Sequence, residues 1–135
     1  MHQKNYRKQL ERAAVNAVLA GTEWISESEV AKSTCSAAEP CGSIDGWIRD
    51  GRTFAIDCDG RSFFPIYAFD TLGVPLPAVQ DVLSVLAGYS PWHLAFWFES
   101  TSSMLGGARP RELIATDPCA VVAAARSHRQ GPMHG

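Results

Sequence analysis

The stretch PWHLAFWFESTSSMLGGARPRELIATDP, Pro91 to Pro118, places Trp92, Phe96, Trp97 and Phe98 within seven residues and follows them with two glycines and a proline-led turn. A segment that is apolar on every helical face is either sunk in a core or held out for a partner. Spacing suggests an assignment of faces. Trp92 and Phe96 stand four residues apart and face inward with the preceding helix, which leaves His93 and Trp97 pointing sideways and Phe98 paired with Leu94 on a further face. Short helices do not easily enclose all of these, so at least one ring is expected at an interface.

The neighbours of this stretch read as helices too. Upstream, Val79, Val82, Leu83 and Leu86 recur at helical spacing, with Pro77 suited to the first turn and Gly88 to the end. Downstream, Gly106 and Gly107 allow a sharp turn and Pro110 starts a short helix. Asp117 and Pro118 then suit the N-cap and first position of a last helix, whose alanines permit close approach.

The first half is more broken. Residues 3–20 read as a helix because Leu10, Ala13, Ala14, Ala17 and Val18 share one stripe, and Gly21 ends it. Ser26 and Glu29 have capping-box spacing, which predicts a short helix from 27 to about 33, with Trp24 or Ile25 stapled to Val30. TCSAAEPCG, 34–42, reads as a turn, after which Ser43 caps a third helix carrying Ile44, Trp47 and Ile48 on its inner face. Asp59-Gly60 between alternating runs is the sign of a two-residue hairpin that sets Phe54 and Ile56 with Phe63 and Pro65.

Composition bounds the function. The chain has 135 residues, 46% apolar and 19% charged, which suits one moderate core or two very small ones sharing an interface. Apolar runs stop at Asp81, Pro91 or Glu99 before a spanning length, and MHQKNYRKQLER lacks the apolar block of an export signal, so the expectation is a cytoplasmic protein without membrane attachment. The formal charge of -2 gives no general support for nucleic-acid binding, which has to rest on local clustering. Cys35, Cys41, Cys58 and Cys119 lack ligand spacing, and no phosphate loop, paired carboxylates or Ser/His/Asp pattern stands out. The expectation is no metal, no cofactor and no catalysis.

Two short helices followed by a hairpin match the layout of a winged helix-turn-helix. In that reading Ser43 and Arg49 face DNA and Arg52 and Arg61 touch it from the wing, although Asp45, Asp50, Asp57 and Asp59 would lie near phosphates. A helical platform that packs or dimerises fits the same pattern.

At this point the residues carry a family likeness. Trp92 to Ala125 resembles the toxin-binding domain of Xre/MbcA/ParS-type antitoxins, which has an aromatic-rich helix, an L-x-G-x-x-P-x-x-L passage and a final helix; Trp97, Leu105, Gly107, Pro110 and Leu113 hold the matching positions. GRSFFPIYAFD and LPAVQDVLSVL resemble the segment preceding that domain more loosely. The resemblance implies a non-catalytic protein that neutralises a cognate toxin, often one of the NAD-degrading RES type, and promoter DNA as a second partner. The first half departs from the usual five-helix Xre domain.

The expected protein is therefore mainly α, with short helices and one β-hairpin in a winged helix-turn-helix-like region (1–70), a small C-terminal helical bundle of toxin-binding type (71–130) and a flexible tail (131–135). The expected toxin-facing residues are Trp92, Trp97, Arg109, Arg111, Arg126 and Arg129. A homo-oligomer is expected. The alternative is a winged-helix transcription regulator whose C-terminal helices serve dimerisation.

Overall fold

The computed structural model describes residues 2–30 and 44–130. Ser43, Cys35, Cys41, the 34–42 turn, the end of the second helix and the tail at 131–135 lie outside the described residues. The protein is mainly α-helical with a small antiparallel sheet. Its elements are α1 (His2–Gly21), β1 (Trp24–Ser26), helical residues 27–30 (α2), α3 (Ile44–Arg49), β2 (Ile56–Cys58), β3 (Arg61–Pro65), α4 (Pro77–Val85), α5 (Pro91–Glu99), α6 (Pro110–Leu113) and α7 (Pro118–Gln130). Short 3-10 turns at Ile66–Ala68 and Ser103–Leu105 complete them.

The hairpin forms as expected. Asp59 and Gly60 both adopt positive φ, 54° and 79°, the twist that a two-residue turn needs to match its flanking strands. Ile56 then pairs with Phe63 and Cys58 with Arg61. A strand unsignalled in the sequence, β1, adds a third member in the order β1-β3-β2, Trp24 opposite Pro65 and Ser26 opposite Phe63. With three residues, β1 is too short to show alternation, and only pairing defines it.

The box at Ser26 closes both ways: Glu29 N donates to Ser26 Oγ and Ser26 N to Glu29 Oε1, each 3.3 Å. Val30, Ile44, Trp47 and Phe64 make a small core beneath α2 and α3, with Ile25 packed against it. Ile48, expected inside, is exposed, because α3 presents Ile44, Gly46 and Trp47 inward.

The larger core joins both halves of the chain. Val18, Phe54 and Ile56 belong to the same buried cluster as Val79, Val82, Leu86, Leu94, Phe98, Ile114 and Val121. α4 packs on α7, where Ala124 and Ala125 are buried and let the two helices approach. Ser90 Oγ accepts from His93 N at 3.1 Å, so α5 starts on a capped turn with Pro91 in its first position. After α5, Gly106 and Gly107 take φ of 68° and 88° and reverse the chain, as the glycine pair promised.

Candidate partner-binding surface

α5 carries the aromatic run, and its faces are arranged differently from the spacing argument. Leu94, Ala95, Trp97 and Phe98 are buried, whereas Trp92 and Phe96 are only partly so. Phe98, fully buried, stacks on Phe54 at 5.8 Å and meets Tyr67 and Trp97 at 5.1 Å each. Trp97 is 7% exposed. Trp92 and Phe96, 5.9 Å apart, lean over α1 and border a cleft with Ala14 and Val15. α5 packs against α1, α6 and β2: Phe98 stacks on Phe54 ahead of the hairpin and Trp97 meets His128 of α7, while Trp92 and Phe96 lie on the α1 side.

At the end of α5, Glu99 receives two arginines. Arg111 Nε and Nη2 donate to its two oxygens at 2.8 and 3.2 Å, and Arg109 Nε lies 3.0 Å from Oε2, a charge contact without hydrogen-bond alignment. Arg109 N also donates to Glu112 Oε1 at 2.8 Å, which closes the start of α6. A carboxylate at a helix C-terminus opposes the helix dipole, and the guanidinium pair offsets this. The Glu99 hydrogen bond raises the Arg111 pKa further above its ordinary value. Burial, with help from the Glu99 charge and opposition from Arg111, holds the Tyr67 phenol far above the usual tyrosine range. Arg109 and Arg111, expected on a toxin-facing surface, thus have internal partners, although Arg109 keeps a side-chain exposure of 39%.

The exposed chemistry near α5 lies at its other end. Tyr89 stacks flat on His93 with ring centroids 4.0 Å apart and meets His128 edge-on at 5.9 Å. The Arg129 guanidinium stands 5.6 Å from the Tyr89 ring, and His128 reaches Trp97 at 6.2 Å. Tyr89 is partly buried; His93, His128 and Arg129 are exposed. The α4–α5 loop supplies Tyr89, the first turn of α5 supplies His93, and the last turns of α7 bring the other two across from it. Sequence reading singled out Arg129 but not Tyr89, His93 or His128 as partners of one another. Tyr89 and His93 are four residues apart, a faint signal, while the α7 contribution depends on tertiary packing. Arg126, one turn earlier, is exposed and borders a cleft of about 390 Å³ between α4 and α7.

In the first half, Arg49 is exposed at the end of α3, and the Arg52 guanidinium lies 5.9 Å from the Trp47 ring. Arg61 is exposed at the hairpin turn beside Ser26, Glu27 and Ser28. Asp45, Asp50, Asp57 and Asp59 are also exposed, so these arginines stand among acidic neighbours. Among the described residues, no three His, Cys, Asp or Glu side chains gather into a metal-holding group, and no helix is long and apolar enough to cross a membrane.

The fold and surface together define a small, mainly helical protein with a three-stranded sheet and an exposed ring-and-cation patch. No family model, curated protein or solved structure matches the chain.

Proposed function

We propose that the protein is a non-catalytic, antitoxin-like binder whose C-terminal helices hold a partner toxin, and that Tyr89, His93, His128 and Arg129 form the centre of the contact. The observation that carries this reading is the stacked, cation-flanked ring cluster left open on the surface. Tyrosine and arginine dominate binding hot spots because each offers large contact area together with directional polar contacts. The likeness of Trp92–Ala125 to a toxin-binding domain supplies the partner class, with an NAD-degrading RES-type toxin as the first candidate. Trp97, Leu105, Pro110 and Leu113 then serve this function indirectly, by building the subdomain that carries the patch; Trp97, Leu105 and Pro110 are buried.

Co-expression of the full chain with a RES-type toxin from the same genome should restore growth and cellular NAD. A Tyr89→Ala/Arg129→Ala chain, present at the same level, should rescue poorly. Equal rescue by both would remove the patch from the mechanism, and no rescue by the parent would remove the toxin.

The sheet order β1-β3-β2, with helices before and between its strands and a hairpin at its end, favours a second reading, promoter binding through a wing. Arg49 and Arg61 are the exposed cations for that role. Loss of low-salt binding to the upstream DNA in an Arg49→Ala/Arg61→Ala chain, with a steep salt dependence in the parent, tests it.

A further inference from the structure

The stripe that marks residues 3–20 as a helix is mostly uncovered. Val18 is 2% exposed, but Leu10 is 54% exposed and Ala13, Ala14, Ala17 and Ala20 are exposed as well. α1 meets the rest of the chain chiefly through α5, using the neighbouring stripe of Val18 and Leu19, with Val15 at the cleft beside Trp92 and Phe96. Positions 10, 13, 17 and 20 follow the alternating three-and-four spacing of a helix–helix seam. The partly exposed rings of Trp92 and Phe96 continue this apolar surface across the cleft beside Ala14.

We propose that this face is the seam of a homodimer in which α1 pairs antiparallel with α1 of a second copy. Two observations select a second copy as the occupant. The first is self-complementarity: an antiparallel pair centred between Ala13 and Ala14 sets Leu10 of each chain against Ala17 of the other and Ala13 against Ala14. Large meets small at both ends, alanine meets alanine in the middle, and the helix axes can approach to about 8 Å. The second is charge: none of the seam positions 10, 13, 14, 17 and 20 carries an ionisable group, so two copies of this face meet without like-charge repulsion.

The proposed seam on α1 and the Trp92/Phe96 rings shares no residue with the Tyr89 patch, so substitutions at positions 10 and 17 probe dimerisation without altering the residues proposed to hold a toxin. A helix of this length is about 30 Å long and gives an interface at the small end of stable ones, which predicts a dimer that dissociates on dilution.

The test is sedimentation velocity on the full chain over a concentration series. The parent should shift from one chain to two as concentration rises. Ala17→Glu and Leu10→Lys, each alone, should weaken association at least tenfold while leaving the melting point of the dilute protein in place, because both positions are exposed. An equimolar mixture of these two variants should recover association, since position 10 of one faces position 17 of the other. A parent that stays a single chain up to millimolar concentration overturns the proposal, as does a mixture that fails to recover.

Discussion

The residue on which most of the local chemistry converges is Glu99. It sits where the C-terminal ends of α1 and α5 meet, and a Cβ built on Gly21 would run into its carboxylate. Gly21 therefore does more than end a helix: its missing side chain lets α1 close onto the carboxylate. The carboxylate could swing away from an added methyl, but only by giving up Arg111 and Arg109. Gly21→Ala and Glu99→Gln should each cost about 1–3 kcal/mol, the range for hydrogen bonds to charged groups, kept modest by the partial exposure of the arginines. Because both changes break the same contacts, the double variant should be clearly less destabilised than the sum of the two, as read from denaturant midpoints; simple additivity would show that the glycine and the carboxylate act separately. Tyr67 adds a pH dependence. Its folded pKa lies above the ordinary value of 10.0, so its contribution to stability is complete below that value and is lost as pH climbs beyond it. Tyrosine absorbance followed during alkaline titration should show one ring ionising only as the chain unfolds, and Tyr67→Phe should abolish that late step. Ionisation of every tyrosine while the helices stay intact would contradict the burial of this phenol.

Among the elements, α5 shows how far the sequence could be read. Its existence, its start at Pro91 and the turn after it were legible because proline and glycine act locally on the backbone. The capping box at Ser26 and the Asp59-Gly60 hairpin were legible for the same reason. The faces of α5 were not, since a helix apolar all round has no periodic signal to orient it, and neighbours decide which rings are covered. Spacing pointed Trp92 and Phe96 inward; packing buries Trp97 and Phe98 and leaves the first pair against α1. The stability consequence is specific. Phe98→Ala should cost about 3–5 kcal/mol, as for a large ring removed from a packed core, and Phe96→Ala roughly half of that or less because its ring is already partly in water. Thermal melting of the two variants side by side checks the assignment, and a Phe96→Ala chain that melts below Phe98→Ala would return it to the sequence-based one. The α1 stripe teaches a related lesson: its apolar period predicted a helix correctly but could not say whether the rest of this chain or another one covers it.

For the whole molecule, the boundary at residue 70, expected from the change to a purely helical pattern, does not divide the larger core, because Phe54, Ile56 and Val18 pack with Phe98 and the C-terminal helices. The sequence could not reveal this, as it depends on a stack between residues forty-four positions apart, Phe54 on Phe98. The helical hairpin-bearing class was readable from turn chemistry and period; the candidate surface was readable only in part, with Arg129 found and its ring partners found only by folding α7 back over the α4–α5 loop. Because the larger core draws on both halves of the chain, a surface at the end of α7 rests on a scaffold to which both contribute; Tyr89 packs against that core, whereas His93, His128 and Arg129 are exposed. If the Tyr89 patch holds a toxin, as proposed, affinity for that toxin depends on its rings and cations. Titration calorimetry of the purified chain with a RES-type toxin from its own genome, for the parent and for Tyr89→Ala/Arg129→Ala, measures that dependence. Saturable binding by the parent is expected, with at least a hundredfold loss in the variant; the variant should still melt cooperatively and sediment as the parent does, at a melting point lowered by loss of the partly buried Tyr89 ring. Equal affinity in the two proteins, or no binding by a folded parent, would contradict the proposal.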